Sequence, residues 1–203
     1  MKVATWWIPD IETHVGAVLA WIRTAAPHVV CLQGSRPGGR AFPFTALYDE
    51  GYYTKIHGSA EAPGPALLGL EPLQDVERIV LADGTRRLSA HVAGIRVVTC
   101  DGLTAAALGA WERMADRVPV LVAGPSDQEA AAWHEDAERL GLVHLHDGEP
   151  QADVLLATPA LAARCRACAV VPVAGPPRDP LVATFGGVDA QARPPGVLPG
   201  EPV

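Results

Sequence analysis

The sequence predicts two mixed β-sheets packed face to face with helices on their outer surfaces, and three observations lead there. Short β-branched and apolar runs recur along most of the chain, at 2–7, 28–33, 51–57, 65–70, 75–81, 86–92, 95–100, 119–123, 152–157, 168–173 and 181–185. Few helical patterns separate them, which argues against a simple alternating parallel sheet. The length, 203 residues, suits one full hydrophobic core.

The first run, K-V-A-T-W-W, begins almost at the first residue. After it Thr13 can cap a helix on which Val15, Val18, Leu19 and Ile22 share an apolar face, and Pro27 closes that helix. H-V-V-C-L-Q, residues 28–33, is a β-branched strand, and S-R-P-G-G-R after it reads as loop. Helical spacing returns at 104–117 and 126–140, and Pro159 can open a short helical turn. Trp21, Trp111 and Trp133 fall within helical patterns and read as packing residues. The inner strands place Val3, Ala4, Val29, Val30, Leu121, Val122, Leu155 and Leu156 in the core. One domain is expected over residues 1–185; the Gly/Pro-rich stretch 186–203 holds too little apolar surface to offset chain entropy and is expected to be a disordered tail.

Composition narrows the function. The net charge is −7, lysine occurs only at Lys2 and Lys55, and the arginines are scattered, so the clustered cations that neutralise phosphates in strong nucleic-acid binders are missing. No apolar run reaches the ~18 residues of a membrane span, and no basic-then-apolar leader opens the sequence, so a cytoplasmic protein is expected. Four cysteines suit a reducing compartment; Cys165 and Cys168 form a C-x-x-C without the second pair that tetrahedral zinc requires. His144 and His146 alternate as on an exposed strand end.

Several segments, taken in order, resemble the exonuclease III branch of the endonuclease/exonuclease/phosphatase superfamily. M-K-V-A-T-W and the following W-I-R-T-A-A-P-H-V-V-C-L-Q are similar to its opening strand, first helix and second strand. G-P-A-L-L-G-L-E-P-L resembles its N-G-V-A-I-L-S-R strand, and V-P-V-L-V-A-G the strand that leads into its G-D-x-N. A-D-V-L-L-A-T-P-A-L-A-A-R is similar to I-D-H-L-L-V-S-P-A-L, and P-L-V-A-T-F to the final strand. The resemblance spans residues 1–185 and implies a four-layer α/β/β/α sandwich. It also implies hydrolysis of phosphodiesters in DNA with a carboxylate-bound divalent cation, a general base and phosphate donors.

Aligned on these motifs, the family's site positions carry other residues. Its first Asn is Trp7, its metal-binding Glu is Gly34, its Tyr is Asp101, and G-D-x-N is Gly124, Pro125, Ser126, Asp127. The S-D-H-A-P motif places Pro177 and Arg178 at its Asp and His; a one-residue gap would keep Asp179 as the Asp. Only Asp153 keeps its identity. The segments where the family holds DNA, after Cys100 and between Leu142 and Asp153, are short here.

The sequence is therefore read as a catalytically inactive member without bound metal. Its remnant cleft comprises Trp7, Gly34, Asp101, Pro125, Asp127, Asp153 and Arg178. Arg178 can pair with Asp153 or Asp127 there, Trp7 fills the vacated space, and a protein or small molecule replaces DNA as partner. The alternative is a Mg²⁺- or Mn²⁺-dependent nuclease or phosphatase built from Asp101, Asp127, Asp153 and Asp179.

Overall fold

The computed structural model describes residues 1–36, 42–59, 61–104, 107–108, 118–125, 131–146 and 153–187, the side chains of 131–134 excepted. Its strands are β1 (Lys2–Trp7), β2 (Val29–Ser35), β3 (Tyr53–Ile56), β4 (Gly64–Gly69), β5 (Gln74–Val80), β6 (Arg86–Val92), β7 (Ile95–Cys100), β8 (Val120–Gly124), β9 (Val143–His144), β10 (Val154–Ala157), β11 (Cys165–Val170) and β12 (Leu181–Phe185). They form two six-stranded sheets, ordered β11-β12-β1-β2-β4-β3 and β5-β6-β7-β8-β10-β9. Both sheets are mixed: β1 runs parallel to β2, and β7 parallel to β8, among antiparallel neighbours. This is the sandwich that the sequence predicts.

Strand alternation sorts the apolar residues into layers. Val3, Val29, Leu67, Leu88, Val97, Leu121, Leu155, Leu181 and Phe185 point inward and fill the space between the sheets. On the outer face of the first sheet, Ala4, Trp6, Val30 and Leu32 pack under α1 (Ile11–Ala25) and α2 (Phe44–Asp49). On the outer face of the second, Val98, Val120, Val122 and Leu156 pack with Ala137 of α3 (Ala131–Arg139). All eight residues expected in the core are buried, although the even-numbered ones among Ala4, Val30, Val122 and Leu156 face the helices.

Local departures have physical causes. Helix α1 starts at Ile11, before Thr13; Asp10 precedes it in the left-handed region, and the Thr13 hydroxyl donates back to the Asp10 carbonyl at 2.9 Å instead of capping. Strand β11 begins at Cys165, three residues earlier than expected, because it pairs with β12 from Cys165–Phe185 to Val170–Leu181, and Pro172 beyond it has no N–H to extend the ladder. The Pro159 turn is α4 (Pro159–Ala162), with Pro in its first turn. Helix α2 was not expected; the two-residue β9 ends at His144, where the alternation of His144 and His146 suggests a strand end, and it exists through its pairing with β10. Most of the helix expected at 104–117, the first part of that at 126–140 and residues 188–203 lie outside the described residues. Gly186 is still tied to the body, its N–H donating to the Arg164 carbonyl at 2.9 Å.

Toward one end of the sandwich the inter-sheet core turns polar. Thr5, Gln33 and Thr99, each fully buried, continue the inward faces of β1, β2 and β7. The Gln33 amide Nε2 donates to the hydroxyls of Thr5 and Thr99, both at 3.0 Å, so one side chain joins the two sheets. Gln33→Leu leaves two buried hydroxyls without that donor, so the variant should lose ~1–3 kcal/mol in urea unfolding; an unchanged midpoint would contradict this role for the network.

Candidate functional site

Four site positions follow from the same two-residue period, at or one step beyond the ends of core strands. Trp7 follows Val3 and Thr5; Asp101 follows Val97 and Thr99; Pro125 follows Leu121 and Ala123; Asp153 precedes Leu155 and Ala157; Gly34 lies within β2, next to inward-facing Gln33. The pairings Trp7–Gln33, Thr99–Ala123 and Gly124–Val154 place these ends side by side, so the positions roof the polar end of the core.

Asp153 is the centre of this roof. Its side chain is 0% exposed. One carboxylate oxygen accepts the backbone N–H of Trp7 at 2.6 Å, and the other lies 3.5 Å from the Arg178 guanidinium. Burial pushes its pKa up to about 6, outweighing the opposing pull of the Trp7 N–H and of Arg178. The Arg178 guanidinium carbon sits 4.8 Å over the Trp7 ring, a cation–π contact, and the Trp6 indole N–H donates to the Arg178 carbonyl at 2.7 Å. Trp6 itself is fully buried and meets Trp21 edge to face at 5.1 Å between ring centres.

Two expectations about the cleft meet the structure here. The buried ring beneath the cleft is Trp6, which faces α1; Trp7, expected to fill the vacated space, is half-buried and covered by Arg178. The reason is parity: Trp6 shares the helix-side face with Ala4, whereas Trp7 points to the cleft at the strand's end. The pairing of Arg178 is with Asp153; Asp127 lies outside the described residues.

Gly34 is more than a missing carboxylate. Its φ is +82°, in the left-handed region, within a stretch where the register between β2 and β4 shifts. A Cβ there would lie 3.1 Å from the Ile8 carbonyl oxygen and 3.2 Å from the Pro9 nitrogen. Pro125 is buried and offers neither an acid nor an N–H. The Asp101 carboxylate accepts the Arg86 N–H at 2.7 Å and faces its guanidinium at 3.6 Å, which closes the β6–β7 ladder; burial nevertheless raises its pKa. Asp179 accepts the Val173 N–H at 2.7 Å.

These contacts decide how the set suits a hard divalent cation, which needs several converging oxygen ligands. The Asp153 oxygens already serve an N–H and a guanidinium, Asp101 and Asp179 serve separate partners, and positions 7, 34 and 125 supply no carboxylate. Among the described residues no three His, Cys, Asp or Glu side chains gather as metal ligands. Among the described residues, the donor set does not fit the cation that the resemblance implies. Cys165 and Cys168 are free thiols half-buried along β11, their pKa values raised by burial.

Solved structures share this architecture. An AP endonuclease from Archaeoglobus fulgidus superimposes with a TM-score of 0.75 at 21% identity, over 92% of this chain and 99% of that one. The chain has the endonuclease/exonuclease/phosphatase fold. The 3′-5′ exonuclease NExo from Neisseria meningitidis matches with a TM-score of 0.78 at 18% identity, over 91% and 99%. A Neisseria NExo 3′ phosphatase bound to a product DNA hairpin gives 0.77 at 18% identity, over 91% and 99%. No protein-family model and no curated protein sequence matches the chain.

The sequence alignment found Asp153 and Arg178 but missed Trp6, Thr5, Gln33 and Thr99. Gln33 had a signal: a polar residue at inward parity in an otherwise apolar strand.

Gly34→Glu should destabilise the fold by ~1–3 kcal/mol through backbone strain, read from urea unfolding against the parent, and Gly34→Ala should share that loss; full stability of both variants would show that the loop adapts freely. A second outcome concerns pH. The folded pKa of Asp153, about 6, stands above the ~3.9 of an unfolded Asp, so between those values the folded state binds more protons. Its contribution to stability is therefore present below pH ~4 and is lost as pH rises toward ~6, by up to ~2–3 kcal/mol. Asp153→Asn keeps an acceptor for Trp7 and carries no charge. Relative to it, the parent should weaken from pH 4 to pH 7; a parent that strengthens over that range would overturn the assignment.

Proposed function

We propose that this chain is a non-catalytic relative of the exonuclease III-type nucleases, acting by binding a protein or small-molecule ligand at the remodelled cleft instead of cutting DNA. The observation that carries this reading is the Arg178–Asp153 pair, with Arg178 stacked on Trp7. Arg178 supplies positive charge beside the one acid that keeps its family identity, and a guanidinium neither lowers the pKa of a bound water nor bridges a leaving oxygen as a divalent cation does. Gly34 and Pro125 support it, since neither can hold a cation or activate water. The net charge of −7 and the scattered arginines support the absence of a DNA grip. The neighbouring structures share the fold; they are nucleases and a phosphatase, and those activities depend on site chemistry that the fold does not guarantee.

The test uses the full chain with Mg²⁺ or Mn²⁺ on abasic, blunt and 3′-phosphorylated duplexes. No cleavage is expected, and anisotropy with a labelled abasic duplex should give only weak binding that vanishes at physiological salt. Metal-dependent nicking that survives repurification and disappears in Asp153→Ala, or submicromolar duplex binding at physiological salt, would return the protein to DNA metabolism.

A further inference from the structure

Opposite the cleft, at the other end of the first sheet, lies an aromatic groove of about 360 Å³ lined by Phe44, Thr45, Tyr48, Tyr52, Tyr53 and Thr54. All three tyrosines of the chain are in this lining. Phe44 and Tyr48 on α2 remain 43% and 40% exposed. Phe44 is held from below by buried Phe42, ring centres 4.8 Å apart, and the Tyr52 hydroxyl donates to the Pro27 carbonyl at 2.5 Å. The groove is thus preformed, and it flanks β3, an edge strand.

Its occupant is indicated by chemistry and by reach. The segment after Gly187 contains Pro194, Pro195, Pro199 and Pro202. Proline-rich segments favour an extended left-handed helix that loses little entropy on binding, and aromatic grooves are the surfaces that take them. Position fits as well. The registered partners Tyr53–Gly69, Gly69–Val29, Val29–Val3 and Val3–Ala183 form one row across the sheet, so Tyr53 is level with Ala183, two residues before the end of β12. Four inter-strand steps separate Ala183 from Tyr53, ~19 Å at ~4.8 Å each. The nine residues from Phe185 to Pro194 can span ~30 Å, more than that separation.

We propose that the chain's own segment Pro194–Pro202 docks in this groove, where it covers the exposed aromatic rings and the flank of β3. Tethering supports even a weak contact, because a short linker gives an effective concentration of ~mM. This inference is independent of what the cleft binds.

The full chain, labelled with ¹⁵N, tests it by relaxation and proton NOE measurements. Backbone order parameters at Val197 and Leu198 above ~0.6 are expected, with NOEs from proline ring protons to Phe44 and Tyr48, all unchanged on serial dilution. Two variants should lose both signals: Phe44→Ser with Tyr48→Ser, and Ser at the four tail prolines, which leaves the folded body's sequence intact. Random-coil relaxation of the tail in the parent would overturn the proposal. So would contacts that persist without the prolines, and contacts that fade on dilution would instead assign the groove to a second copy.

Discussion

The carboxylate of Asp153 joins the two sheets at the cleft end, and the arrangement there depends on it. It stands just before β10 of the second sheet and accepts an N–H from the last residue of β1 in the first. Apolar contact between sheets is strong but non-directional, so it sets their separation better than their relative position. The Asp153–Trp7 bond and the Gln33–Thr99 bond supply direction where the core turns polar. A buried carboxylate is costly unless hydrogen-bonded and paired. That requirement explains why the Arg178 backbone is itself held by the Trp6 indole, fixing the base of the guanidinium over Trp7.

A family fold can persist under such different roof chemistry because the two make separate demands on the sequence. The sandwich needs inward apolar residues at alternate positions, and Val3, Val29, Val97, Leu121 and Leu155 meet that need whatever stands at 7, 34, 101, 125 and 153. Most of the site positions lie at or just past the strand ends, beyond the apolar inter-sheet core, where a side chain contributes to polar contacts more than to apolar packing. Similarity to nucleases at 18–21% identity over nine-tenths of the chain is what this separation allows.

What was legible in the sequence follows the same division. β-branched runs located most of the strands, and β6, β7 and β12 fall at the expected residues, because period-two patterns survive wherever one face is buried. The order of motifs supplied the architecture that periodicity alone leaves open. Elements and limits held by tertiary contacts were less legible: α2 has six residues without a repeat, and the limits of β11 are set by β12. In the site, identities at aligned positions were readable. Conformation was not: nothing in L-Q-G-S announces the left-handed φ of Gly34, and in the pair Trp6–Trp7 only the strand's phase decides which indole is buried.

Gly34 shows why the differences at this cleft belong together. A glycine that had simply replaced an acid in an unchanged strand would leave extended backbone, and reversion would restore a ligand. Here the backbone has taken a conformation that L side chains rarely adopt, pressed against Ile8 and Pro9, and the β2–β4 register shifts beside it. The Ile8 N–H donates to the Gln33 carbonyl at 3.0 Å, so this close approach also extends the pairing that places Trp7. Trp7 in turn donates to Asp153 and carries Arg178 on its ring. A carboxylate added at position 34 would push on Ile8 and Pro9 and, through them, on the N–H that stabilises Asp153. Substitutions at these positions share partners, so their effects are coupled and not additive. The arrangement holds as a unit, with Arg178 as its internal cation.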